Sequence, residues 1–284
     1  MNRAMEALRD QVVLITGCST GIGRALAQDC IRRGHRVVVT ARRVEAVADM
    51  DGSNVLLLAL DVNDPASVQR AVAQTLDRFG RIDVLVNNAG LNAIGPTPEV
   101  PLAALRNVFE TNVLGLVSMS QAVFPHMARA GRGRMINIGS VMGLLTTPFA
   151  GSYCASKAAV HAISESLRME AAPFGVDVVV VQPGGVQSEI ANNGAQFVER
   201  FRQPDSLFRS FAAGIERRAH ASQNSPMATD AFARYVLDRA LANKPPRVIR
   251  AGRGAVVLPA LSLVPARVRE PLMRLHFGLK KLNS

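Results

Sequence analysis

A chain of 284 residues, 48% of them hydrophobic, is long enough for one large α/β domain whose folding buries roughly 70–75% of its unfolded surface, with no need of disulfides or a structural metal. Its three cysteines, Cys18, Cys30 and Cys154, are odd in number and lack metal-ligand spacing, as expected of reduced thiols in a cytoplasmic protein, and no apolar run approaches the roughly 20 residues that span a bilayer. The net charge of +11 suits an anionic ligand or surface, yet the arginines are scattered and lack the basic and aromatic clustering of a nucleic-acid reader, so no nucleic-acid partner is expected.

In chain order, short β-branched runs fall at 11–16, 35–41, 54–60, 82–87, 133–140, 176–182 and 247–250, and longer amphipathic segments lie between them. Continuous apolar runs fit strands buried on both faces, and helical crossovers between them fit a parallel sheet. The predicted fold is therefore α/β: a single-domain, doubly wound parallel sheet of about seven strands with helices on both faces. Asp64-Pro65 reads as a helix start, and Gly34, Gly80 and Gly175 each end a helical pattern just before a strand. Residues 10–250 form the predicted core, 187–226 a long lid-like insertion carrying Phe197, Phe201, Phe208 and Phe211, and 251–284 a C-terminal extension.

The first strand runs into Thr16-Gly17-Cys18-Ser19-Thr20-Gly21-Ile22-Gly23 and then a helix. Glycines at 17, 21 and 23 let backbone N–H groups and a helix N-terminus approach a pyrophosphate. The second strand ends Thr40-Ala41-Arg42-Arg43 without the acid that usually holds the adenosine ribose. A guanidinium there can pair with a 2′-phosphate, so NADP(H) is predicted over NAD(H), with Arg42 as main reader and Arg43 as helper; the alternative is two solvated arginines at a helix start.

Lys157 is one of only four lysines among the 33 basic residues and stands four positions after Tyr153, one of two tyrosines. On a helix the two share a face, and a fixed ammonium can favour the phenolate of a group whose ordinary pKa is about 10. Such pairs also arise by chance on many helices. Ser140, at the end of the fifth strand, suits donation to a carbonyl oxygen as charge builds on it, or a simple capping role.

These motifs together resemble the short-chain dehydrogenase/reductase family over nearly all of residues 10–250: the TGxxxGxG loop as Thr16 to Gly23, Asp61 beside Val62, NNAG as Asn87 to Gly90, the active-site asparagine as Asn112, the serine as Ser140 and YxxxK as Tyr153 to Lys157. The resemblance implies a Rossmann-type fold and hydride transfer between nicotinamide and a carbonyl or alcohol carbon. Tyr153 would be the general acid or base, Lys157 would lower its pKa and bind the nicotinamide ribose, Ser140 would orient the carbonyl, and Asn112 would hold a water in the proton relay. The cofactor contacts it implies fall on Gly17, Ser19, Thr20, Gly21, Ile22, Gly23, Arg42, Arg43, Asp61, Val62, Asn88, Ala89, Gly90, Pro183, Gly184, Val186 and Ser188, beside Tyr153 and Lys157. Ser188 stands where threonine is more usual. Read as isolated residues, Asn112 could satisfy a helix kink and Asp61 could cap the helix near Pro65.

The wall after Ser140 supplies Met142, Leu144, Leu145 and Phe149, which with Gly185 are the expected substrate contacts, and no metal site is expected. An apolar cleft suits a bulky lipophilic ketone or secondary alcohol, as in the hydroxysteroid- and retinol-dehydrogenase-like branch that the chain resembles. The alternatives are a small or polar carbonyl substrate, or a non-catalytic NADP-binding sensor. The tail, an apolar run followed by basic residues, could touch an anionic membrane surface or pack on its own domain or a neighbouring subunit. Family resemblance implies a homodimer or homotetramer through the helices at 103–130 and 153–173.

Overall fold

Alternation within the first strand, β1 (Val12–Ile15), divides the core: Val13 and Ile15 join one apolar cluster, and Val12 and Leu14 join another on the opposite face of the sheet. Every expected strand forms in this computed structural model, which describes residues 10–188 and 198–280. The others are β2 (Arg36–Ala41), β3 (Val55–Ala59), β4 (Val84–Asn87), β5 (Gly133–Ile138), β6 (Val176–Pro183) and β7 (Val248–Ala251). They make one sheet in the order β3-β2-β1-β4-β5-β6-β7, parallel throughout.

Helices cover both faces. Ala25 and Leu26 of α1 (Gly21–Arg32) pack on the side of Val13, whereas Val68 and Val72 of α2 (Pro65–Phe79) pack on the side of Val12. The predicted start of α2 holds, because the Asp64 side chain accepts from the Ala66 N–H with Pro65 at the first helical position. Gly34, Gly80 and Gly175 take φ of 80°, 74° and 70°, a left-handed conformation that only glycine adopts without strain.

After α3 (Leu102–Phe109), a π-helical turn at Glu110–Leu114 leads into α4 (Gly115–Ala130), and α5 (Gly151–Ala171) follows β5. Across the middle of the sheet runs a buried polar chain: Asn87 Nδ2 donates to Asn137 Oδ1 at 2.9 Å, and Asn137 Nδ2 donates to Ser164 Oγ on α5 at 2.9 Å. The order of strands reverses between β1 and β4, which opens a crevice at their carboxyl ends.

Two later segments close over that crevice. Lid residues Val198, Phe201 and Ile215, the last on α6 (Ala212–His220), form a third apolar cluster with Ile94, Phe149 and the tail's Phe277. Residues 189–197 of the predicted lid, Phe197 among them, lie outside the described residues. Then come α7 (Thr229–Ala240) and, beyond β7, the tail helices α8 (Val257–Leu261) and α9 (Ala266–His276). The tail folds back on its own domain: a Cβ on Gly214 of α6 would stand 1.9 Å from the Phe277 carbonyl oxygen, so the close approach requires glycine.

Candidate active site

The glycine loop is clamped to the end of β4. Thr16 Oγ1 accepts from the N–H groups of Asn88 and Ala89, both at 3.0 Å, and Asn88 Nδ2 donates to the carbonyls of Thr16 at 2.9 Å and Gly17 at 3.0 Å. Such closeness leaves no room for side chains. A Cβ on Gly23 would lie 2.2 Å from Asn88 Nδ2, and one on Gly17, at φ 72°, would lie 2.9 Å from Ala89 Cα. The result is a tight cradle of bare backbone at the head of α1, suited to a pyrophosphate. Gly21 faces Ser188, whose own N–H donates to Gln223 Oε1 at 3.4 Å, so the 184–188 loop is tied to the lid.

One cleft of about 870 Å³ runs from this cradle to the tail. It is lined by every predicted cofactor residue except Arg43, together with Ser140, Met142, Leu145, Tyr153, Lys157 and Gly185. Arg42 lies on its edge, exposed and without an ion pair among the described residues, while Arg43 precedes the 3-10 turn at Val44–Met50 and lies off the cleft. Asp61 also lines it; Asp64 rather than Asp61 caps α2, and the Asp61 carboxylate accepts instead from the Asn63 N–H at 2.9 Å.

At the opposite end, Tyr153 and Lys157 stand one turn apart on α5, with the ammonium 5.9 Å from the phenol ring centroid. Lys157 is buried, donates to the Ile138 carbonyl at 2.8 Å, and is brought down to about 8 by desolvation. Tyr153 is held above the ordinary phenol pKa by burial, with the Ser140 hydroxyl and the Arg218 guanidinium pulling the other way. In this arrangement the ammonium donates to a strand-end carbonyl rather than to the phenol oxygen. Ser140 takes the capping role, its Oγ accepting from the Met142 N–H at 3.1 Å, and its hydroxyl also faces the phenol.

Asn112 sits in the π-helical turn, but its side chain does not present itself to solvent. Its amide accepts from the Leu91 N–H at 2.7 Å and donates to the Leu91 carbonyl at 3.0 Å and to Ser156 Oγ at 2.9 Å. A Cβ on Gly90 would touch both Asn112 Oδ1 at 3.3 Å and Lys157 Nζ at 3.6 Å, so Asn112 builds the floor beside the lysine.

Two expected substrate contacts fall elsewhere. Leu144 is 38% exposed on the turn after Ser140, and Phe149, at φ 65°, points into the lid cluster edge-on to Phe208. Neither lines the cleft: Leu144 closes the 3-10 turn at Val141–Gly143, and Phe149 packs among the lid residues. Conversely, the tail contributes Leu258, Leu261, Val264 and Met273 to the cleft wall, and Thr147 and Arg218 add a polar pair. The lone glycine in AAGIERRAH, Gly214, is the one sequence signal of that tail contact.

Residues 11–198 match the family model described as short chain dehydrogenase, and the chain belongs to that family of oxidoreductases. Among curated relatives, a 3-ketodihydrosphingosine reductase of Bacteroides thetaiotaomicron is 38% identical over 186 residues, spanning 66% of this chain and 68% of the relative. Among solved structures, a short-chain dehydrogenase from Streptomyces avermitilis superposes with a TM-score of 0.79 at 29% identity, covering 96% of this chain and 99% of that one. A short chain dehydrogenase from Burkholderia cenocepacia in complex with NADP gives 0.72 at 26% identity, covering 94% and 98%.

Proposed function

We propose that the protein interconverts a ketone or aldehyde and an alcohol with NADP(H), and that its substrate is bulky and lipophilic. The observation that carries the reading is one continuous cleft holding the glycine cradle at one end and Ser140, Tyr153 and Lys157 at the other. Arg42, exposed at the cradle's edge and without an ion pair among the described residues, supports the 2′-phosphate form of the cofactor, as does the NADP bound in the Burkholderia cenocepacia relative. Bound NADP(H) supplies the hydride.

The remaining work belongs to this chain's side chains. Ser140 donates a hydrogen bond to the carbonyl oxygen, an interaction that strengthens as negative charge develops there. Tyr153 gives its proton to the same oxygen in reduction and takes it back in oxidation. Lys157 supplies a buried N–H donor beside the nicotinamide end, and Leu258, Leu261 and Met273 shield an apolar substrate body from water. The name of the Bacteroides thetaiotaomicron relative, a reductase of 3-ketodihydrosphingosine, supports a lipophilic ketone.

The test follows NADPH absorbance across steroid, aromatic and long-chain ketones against small sugars and keto acids. Tyr153→Phe should lower kcat about 10²- to 10⁴-fold with little change in NADPH affinity. Turnover of small polar carbonyls alone would sink the lipophilic assignment, and a Tyr153→Phe enzyme as fast as wild type would sink the mechanism.

Two partner assignments accompany this reading. Leu102, Leu114 and Met169, all more than half exposed on α3, on the π-helical turn before α4, and on α5, suit self-association, which sedimentation would detect and polar substitutions there would abolish. Leu263, Val268 and Leu275 on the outer face of the tail, beside Arg267 and Arg274, suit an anionic membrane surface, and salt-sensitive vesicle binding lost on truncation after Gly254 is the corresponding test.

A further inference from the structure

The substrate end of the cleft holds a charge that the proton and hydride chemistry does not need. Arg218, on α6, is 6% exposed and lines the cleft. Its Nε donates to Thr147 Oγ1 at 2.7 Å, which aims the guanidinium without neutralising it. No ion pair among the described residues involves it. Its close neighbours are the Tyr153 phenol and the Cys154 thiol.

The contrast with the surrounding arginines is informative. Arg202 pairs with Glu216, Arg217 donates to the His276 carbonyl, Arg253 to the Asn224 carbonyl, and Arg269 to the Ser262 carbonyl. Among the described residues lining the cleft the sole carboxylate is Asp61, at the adenosine end. Burying a guanidinium is costly unless an anion or a set of acceptors compensates. Among the described residues Thr147 is the one oxygen acceptor it meets and the Cys154 thiol stands beside it, which leaves donors for whatever enters the cleft beside Tyr153.

We propose that Arg218 is a specificity-determining residue that receives an anionic oxygen of the substrate, a carboxylate or a phosphate, so that the substrate is an amphipathic oxo-anion with its apolar body against Leu258, Leu261 and Met273. The proposal rests on the carbonyl-reductase reading and names the substrate class within it. Arginine suits the task because its planar fork meets either oxyanion in bidentate geometry. The anion and the reacting carbonyl then approach the same wall, so the charge fixes which carbonyl of a long molecule reaches Tyr153.

Calorimetric titration of the full chain loaded with NADP+ tests this without turnover, using decanoate, decyl phosphate and 1-decanol as probes of equal chain length. Wild type should bind at least one of the two anions about 10- to 100-fold more tightly than the alcohol. The stronger of the two identifies the headgroup. Arg218→Met should abolish that preference while leaving 1-decanol within about twofold, and Arg218→Gln, which keeps a donor for Thr147, serves the same purpose if the methionine variant fails to fold.

A wild type that does not prefer either anion, or a preference that survives the substitutions, overturns the proposal. Equal loss of all three probes also overturns it, since that is the mark of a structural staple. Failure of the underlying reading looks different: it appears as absent NADP+ binding or absent reduction of every ketone, whatever the ranking of the probes.

Discussion

His161 lies beneath the active site, and its titration can be worked through. Its Nε2 accepts from the Ser140 N–H at 3.4 Å, and a Cβ on Gly139 or Gly143 would lie 2.4 or 2.6 Å from the ring. Burial, chiefly, and then the positive charges of Lys157 and Arg250 push it from 6.5 down to about 4. Above pH 6.5 neither native nor unfolded chain carries this proton, so stability is unaffected. As pH falls through that window the unfolded chain takes up the proton and the native chain does not, so stability falls; below about 4 both carry it and the loss stops growing. Integrating from pH 7 to pH 4.5 gives a loss of about 2 kcal/mol from this ring. Protonation also removes the acceptor that steadies Ser140, so acid should lower kcat before the chain unfolds. Urea unfolding at pH 7 and pH 4.5, for wild type and His161→Gln, measures the difference: the variant should lose about 2 kcal/mol less over that interval. Equal losses for the two proteins would refute the assignment.

Further outcomes follow from the same geometry. Arg42→Ala should reduce efficiency with NADPH about 10- to 100-fold while leaving NADH nearly unchanged, because a charge-assisted pair contributes about 1.5–3 kcal/mol; steady-state kinetics with both cofactors decides. Gly23→Ala places a methyl group against Asn88 and the Gly17 carbonyl, so NADP+ affinity measured by fluorescence titration should fall at least about tenfold, with thermal stability lowered by about 1–3 kcal/mol. Phe201 is fully buried against Gly95, and Phe201→Ala should cost about 3–5 kcal/mol by denaturant titration and raise KM for bulky ketones more than it lowers NADPH affinity.

What the sequence determined by itself is chiefly local: seven strands and the glycine cradle, read from apolar runs of strand length punctuated by Gly34, Gly80 and Gly175, with parallel pairing implied by the helical crossovers between them. Spacing along one helix likewise sufficed to bring Tyr153 and Lys157 together. Tertiary structure alone decided which way side chains point where the backbone turns irregularly, sending Leu144 outward and Phe149 under the lid. It also turned the Lys157 ammonium onto the Ile138 carbonyl, and it carried the tail across some hundred residues of sequence to wall the cleft. It brought Arg218 beside Tyr153, a charge that reads in sequence as one more arginine in a basic chain. Contacts between distant segments depend on packing over the whole fold, and a linear pattern records only the separate faces that such packing later joins.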